Sequence, residues 1–201
     1  MRTPQTQSRA REKLLDAAQR LMLIKGYPAT TIDEICAAAK LTKGSFFHYF
    51  ESKEDLGKAL LDRDASAGPR IESSALRMNK RDPLERVYGY LDFSAQFYQT
   101  PSGRTGCLLG NFALELSDTH PEIRSLCAKR FDEWAAMFKR ALDEAKTKHR
   151  PRATLNTQSL AEHFIAVLEG SLILGKAHRD MGIVRNNLGH FKQYLKMIFH
   201  E

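Results

Sequence analysis

Apolar residues recur along this chain at the spacing of a helix face and almost nowhere at the alternation of a strand. Leu14, Leu15, Ala18, Leu21 and Met22 share one stripe; Ile32, Ile35, Cys36 and Ala39 form another at i, i+3, i+4 and i+7. Runs of Val, Ile and Thr alternating with polar residues do not occur. The pattern predicts an all-α fold.

The breaks between helices are equally legible. "KGYPAT" stops the first helix with Gly26 and Pro28. Thr31 with Glu34 three residues on reads as a capping box that opens a second helix. Thr42 caps a third, carrying Gly44 to Phe50, and Ser52 with Asp55 opens a fourth that bends or ends at Gly68-Pro69. A second set begins near Lys80. Pro83 suits a first helical turn, ahead of Leu84, Val87, Leu91 and the aromatics Tyr88, Tyr90, Phe93, Phe97 and Tyr98. After the loop "QTPSGRTG", a helix from Pro121 reaches the region of Ala145. "KTKHRPRATLN" is a basic linker, and two helices follow over about 157–180 and 185–200.

Charge narrows the partners. The 201 residues carry a net charge of +7, and residues 1–50 hold eight lysines and arginines against four acids. That excess favours an acidic partner, nucleic acid before an anionic membrane surface. No stretch approaches the roughly 18 apolar residues of a membrane helix. The polar start "MRTPQTQSRAREK" lacks the apolar run of a secretory signal, so the expected location is cytoplasmic with no membrane partner. The three cysteines, Cys36, Cys107 and Cys127, stand at no metal-ligand spacing, and the seven histidines are scattered. Neither a metal nor a cofactor is expected.

The second and third helices are joined by about four residues, the geometry of a helix-turn-helix. The second helix of such a pair must enter a major groove roughly 12 Å wide, so its leading end has to be slim and polar. "TKGS" meets that demand. Gly44 lets the backbone approach the duplex, Lys43 and Ser45 offer donors, and free N–H groups at the helix start suit phosphate. Phe46 and Phe50, four apart, face inward as anchors, while Phe47, His48 and Tyr49 point partly outward. Lys53 lies just beyond, within reach of a phosphate. The plain alternative is a three-helix subdomain whose aromatics are only core.

Residues 9–56 also resemble the N-terminal domain of TetR-type transcriptional repressors. The likeness is carried by Gly26-Tyr27, Thr30-Thr31-Ile32, Ile35, Ala39, Leu41-Thr42, Gly44, Phe46, Tyr49-Phe50, Lys53 and Leu56. It implies DNA contacts from Thr31, Thr42, Lys43, Gly44, Ser45, Phe47, His48, Tyr49 and Lys53. Lys43 and Ser45 would read bases; Thr31, Tyr49 and Lys53 would touch phosphate. Arg9 and Arg11 would add contacts from an N-terminal arm. Cys36 replaces the usual alanine. Phe47 stands where a tyrosine usually gives its hydroxyl to a phosphate, leaving that contact to His48 or Tyr49. The expected division is a DNA-binding domain over residues 1–51 and a helical ligand-binding and dimerisation domain over 52–201.

One module reads a short site, and symmetric dimers are the usual solution. The last two helices carry stripes suited to pairing: Phe164, Leu168 and Ser171 on one, Phe191, Leu195 and Ile198 on the other. The resemblance implies a four-helix dimer interface there; burial of both stripes inside one chain is the alternative. The aromatics of the middle helices, with Phe112, Trp134 and Phe138, line an inducer cavity or simply pack as core. "GRTGCLLGNFALE" resembles a subset of TetR-type regulators with a G-C-L-x-G-N-x-x-x-E signature, some of which answer to reactive electrophiles or small unsaturated acids. Cys107, with Asn111 nearby, then becomes a candidate sensor. A helix N-terminus and Arg104 would favour its thiolate, and Lys176 would approach it from a later helix. A buried, inert cysteine is the bland alternative.

The resulting expectation is a homodimeric repressor released from a palindromic operator by a small-molecule inducer or electrophile. The competing readings are a thiol-dependent enzyme using Cys107 and a non-specific architectural DNA binder. No histidine–aspartate partner or phosphate loop supports the enzyme.

Overall fold

The computed structural model describes residues 4–63, 82–151 and 154–199, so the expected bend at Gly68-Pro69 lies outside the described residues. The helices are α1 (Pro4–Lys25), α2 (Ile32–Ala39), α3 (Lys43–Tyr49), α4 (residues 53–63 in its described part), α5 (Pro83–Phe97), α6 (Leu108–Leu116), α7 (Pro121–His149), α8 (Thr157–His178) and α9 (Gly182–Phe199), with a 3₁₀ turn over Gly103–Thr105. No strand occurs among the described residues, and the fold is all-α as the periodicity predicts.

Helix α1 begins earlier than the sequence pattern indicates. "SRAREK" is not a loose arm but part of the helix, because Ala, Arg, Glu, Lys and Leu are all strong helix formers. Arg11 is thereby placed with its guanidinium 5.3 Å above the Phe50 ring.

The chain divides into two compact units, one of Met1–Ser66 with Leu108–Arg130, the other of Ala67–Cys107 with Phe131–Glu201. The boundary expected after residue 51 is therefore corrected. Helix α4 stays with the helix-turn-helix through buried Leu56, Leu60 and Leu61 and through Arg63, which donates to Asp16 at 2.7 Å. Helix α6 and the start of α7 join the same unit because Tyr27 is wedged among them. Its buried ring meets Phe112 and His120 edge-on, both at 5.5 Å, and its amide N–H donates to Glu115 at 2.7 Å.

The second unit is cored by aromatics. Phe138 stacks on Phe164 at 4.4 Å, Tyr90 tilts against both at 5.6 and 5.7 Å, and Trp134 stands edge-on to Phe164 at 5.9 Å. The Trp134 indole N–H donates to the Tyr90 hydroxyl at 2.8 Å, so the polar ends are matched to each other. Each fully buried ring of this kind contributes roughly 1.5–3 kcal/mol by transfer alone. Asp82 starts α5. It accepts from the amides of Leu84 and Glu85 at 2.9 and 3.3 Å, and its carboxylate also pairs with Lys148 and His149 at the end of α7.

Candidate nucleic-acid interface

The helix-turn-helix is built by its caps and its apolar spacing. Thr31 caps α2 in a complete capping box with Glu34. Lys40 closes the helix in the left-handed region at φ 56°, its N–H turned back to Ala37. Thr42 caps α3 by accepting from the Ser45 amide at 3.2 Å. Ile35, Cys36, Ala39, Phe46 and Phe50 are buried together with Leu14, Leu15 and Ala18 of α1. With Phe46 and Phe50 turned in, Lys43, Gly44, Phe47 and His48 occupy the opposite side of α3, all exposed, with Thr42 exposed and Ser45 half-buried at the leading end. Phe47 is 55% exposed, packed edge-on against Phe46 at 5.3 Å. Its remaining flat apolar surface suits a thymine methyl.

The electrostatics of this face are lightly committed. Lys43 pairs with Asp33 at 2.9 Å, both side chains largely in water. Such a pair contributes only about 0–1 kcal/mol, so a phosphate can take the lysine from it.

Three expected phosphate contacts are placed otherwise. The Thr31 hydroxyl is occupied by its cap: it accepts from the Glu34 amide and donates to Glu34 Oε2 at 2.8 Å. That carboxyl is held down at about 2, first by the Lys25 ammonium 2.5 Å away and then by Thr31 itself, so the Thr31 hydroxyl is committed to a charged pair within the chain. The Tyr49 hydroxyl oxygen is buried and accepts no partner; its ring packs on His48 at 4.7 Å. Lys53 turns inward. Its ammonium donates to the carbonyls of Tyr27 and Thr30 at 3.0 and 2.9 Å and lies 4.3 Å from the Tyr27 ring centre. Burial lowers its pKa. The sequence carries no local signal of that tertiary contact.

Of the candidate effector residues, Asn111 (half-buried) and Phe112 (buried) lie on α6 in the first unit, and Phe112 belongs to the Tyr27 packing rather than to a cavity. Cys107, Trp134, Phe138 and Lys176 belong to the second unit. Trp134 and Phe138 are part of the aromatic core, so the expected aromatic cavity is filled by its own rings. Helix α6 starts at Leu108, directly after Cys107, as the sensor reading requires. The Nε of Arg104 donates to the Gln99 carbonyl at 3.0 Å. Lys176 is exposed and does reach this corner, its Nζ 3.4 Å from where a Cβ on Gly106 would stand. Sequence reasoning missed Glu169. Its carboxyl is pushed up by burial, against a hydrogen bond from the Cys107 side chain, and its Oε1 is buried without a partner. A glutamate inside the apolar run "FIAVLEGSLIL" was the available signal.

The expected dimer stripe is also corrected. Phe164, Leu168, Ser171, Phe191 and Leu195 are buried within the single chain and Ile198 is partly buried against the same core. Ser171 accepts from Asn187 at 3.0 Å, stitching α8 to α9. The outward side of this helix pair carries a second apolar stripe. Ile173, Leu174 and Met197 are 52%, 48% and 67% exposed, and an open groove of about 630 Å³ runs between His163, Val167, Gly170, Leu174 and Tyr194.

A three-helix head presenting a short polar-tipped reading helix, followed by a helical unit with an outward apolar face, defines a helix-turn-helix transcription regulator. Residues 14–60 match the bacterial regulatory proteins of the tetR family, and residues 83–191 match the tetracyclin repressor-like C-terminal domain. The chain belongs to the TetR family and is a DNA-binding transcriptional regulator. It is 32% identical over 170 residues to the HTH-type transcriptional repressor DhaR of Mycobacterium sp. (strain GP1), covering 85% of this chain and 84% of that protein. Identity to the HTH-type transcriptional repressor NemR of Escherichia coli K12 is 26% over 190 residues, 94% and 96% of the two chains. The crystal structure of reduced E. coli NemR superposes with a TM-score of 0.78 at 28% identity, over 92% of this chain and 96% of that one. No helix among the described residues is long and apolar enough to cross a membrane.

Proposed function

We propose that the chain is a homodimeric repressor that occupies a palindromic operator and leaves it when an effector reaches the second unit. The observation that carries this reading is the two-sided α3: Phe46 buried on one side, Lys43, Gly44, Phe47 and His48 exposed on the other. Lys43 and Ser45 read bases at the leading end; Thr42, Gly44, Phe47 and His48 flank them. Both DhaR and NemR are named repressors, which supports the sense of the regulation. Two such heads on a two-fold axis need half-sites about 34–36 Å apart. The outward stripe of α8 and α9 is the surface that supplies the axis.

Cys107 is the proposed point of effector entry, a partly exposed thiol beside Glu169 with Lys176 at the neighbouring glycine. An electrophile adding to the sulfur removes the hydrogen that Glu169 accepts. The effector releases DNA only by favouring the form whose reading helices are spaced wrongly for adjacent grooves. Selection of duplexes from a random pool, repeated with N-ethylmaleimide, tests the whole reading. Recovery of one palindrome whose binding is lost on stoichiometric labelling is the expected result. Recovery of no shared sequence sinks the specific regulator, and turnover of the electrophile by catalytic protein points to the enzyme instead.

A further inference from the structure

We propose that Glu115 is a positioning residue for operator binding: its carboxylate pins the turn between α1 and α2 and so sets the helix-turn-helix against α6. The acid closes the distinctive stretch "GCLLGNFALE", and nothing in the reading helix explains it.

The turn Gly26–Thr30 is the only covalent lead into α2, and its polar groups are nearly all accounted for. The Thr30 amide donates to the Tyr27 carbonyl at 3.1 Å and the Thr30 hydroxyl to the Gly26 carbonyl at 2.7 Å. The Lys53 ammonium of α4 takes the carbonyls of Tyr27 and Thr30 from one side. The outward Tyr27 N–H is left, and Glu115 Oε2 accepts it at 2.7 Å, the short separation of a charge-assisted bond. Gly26 makes room for the acid. At φ 86° it adopts a conformation that strains other residues, and a Cβ there would stand 3.0 and 3.2 Å from the two Glu115 oxygens. A cation from α4 and an anion from α6 thus grip the turn, with the Tyr27 ring held between Phe112 and His120 below it. The next residue, Thr31, caps α2, and α3 follows after the three residues from Lys40 to Thr42. A shift of this turn becomes a shift of the reading helix.

This role extends the DNA-binding reading and makes a distinction simple loss of fold does not. A head that stays folded but is wrongly set loses sequence-specific affinity while keeping the sequence-independent charge attraction. Glu115→Ala is expected to weaken binding to the selected duplex about tenfold and to leave binding to a random duplex of equal length within about twofold. Glu115→Gln keeps an oxygen for the Tyr27 N–H and is expected to recover to within about threefold of wild type. Gly26→Ala crowds the same contact as well as straining the turn, so the two losses should add less than fully in a double-mutant cycle. Wild-type affinity in Glu115→Ala, equal loss on both duplexes, failure of the glutamine to recover, or full additivity overturns the proposal. Should the wild type select no duplex, the operator reading falls by itself. Amide exchange without DNA then still decides: Tyr27 N–H is expected to exchange about tenfold faster in Glu115→Ala, and unchanged exchange overturns the pin.

Discussion

At the scale of single residues, the three thiols separate by environment. Cys36 and Cys127 are buried, and burial pushes both thiols up, Cys127 to about 11. Cys107 alone of the three is partly exposed. Folded protein is therefore expected to take up one equivalent of N-ethylmaleimide, at Cys107, and the Cys107→Ser variant none; mass spectrometry after brief labelling reads both, and label on Cys36 or Cys127 contradicts the assignment. Glu169 carries a second residue-scale prediction. Its folded pKa lies above the ordinary 4.5 because burial penalises the carboxylate. The folded state therefore holds the proton more tightly than the unfolded one, and stability falls as pH rises from 4.5 through the raised value. Glu169→Gln removes that penalty, so the difference in Tm between variant and wild type should change between pH 4 and 8 and level off at the acid end. A gap independent of pH would place the charge elsewhere. The sequence made Cys107 visible and left Glu169 obscure, since one acid in an apolar helix does not reveal which neighbour it meets.

Among elements, the caps were the most legible features and the tertiary lysine the least. Thr31 and Thr42 cap α2 and α3 as their spacing predicts, because a cap is decided within four residues of chain. Lys53 faces inward because the Tyr27 and Thr30 carbonyls come from a turn more than twenty residues earlier, a contact no local pattern encodes. The Asp82 cluster is similar: Pro83 announces α5, but the return of Lys148 and His149 to the same carboxylate is tertiary. Asp82→Ala removes an N-cap, worth about 0.5–2 kcal/mol, and the two pairs with it. Hydrogen bonds from Lys148 and His149, joined by the two capping amides, outweigh burial and hold this carboxyl well below its ordinary 3.8. Its contribution is thus complete above 3.8 and lost as pH falls below that value toward the lower folded one. Thermal melts of wild type and Asp82→Ala should differ at pH 7 and converge as pH drops below 3. Equal separation at both pH values would show that packing, not charge, holds the end of α5.

For the whole molecule, the proposed dimer turns on which side of α8 and α9 would face a second chain. Helix α8 is apolar almost all round, so a 3.6-residue period finds stripes without saying which is internal; both Phe164-Leu168-Ser171 and Val167-Gly170-Ile173-Leu174 satisfy it. The first stripe is buried in the chain's own core, whereas the second lines the groove with Val167 and Gly170 half-buried and Ile173 and Leu174 exposed. The two assignments predict opposite behaviour under mutation. Leu168→Ala opens a cavity in one chain and is expected to cost about 2–5 kcal/mol of stability, with the dimer still formed by whatever remains folded. Leu174→Arg places a charge on the outward face, where a dimer interface leaves its core depleted of charge. It should leave the helical circular dichroism intact, shift the sedimentation profile to monomer and remove high-affinity binding to a two-half-site duplex, while single half-site binding changes little. The loss of cooperative operator binding follows from geometry alone: two heads no longer share one axis, so each pays its own association cost. A Leu174→Arg protein that sediments as a dimer would return the pairing surface to another face, and with it the spacing on which the proposed palindromic operator rests.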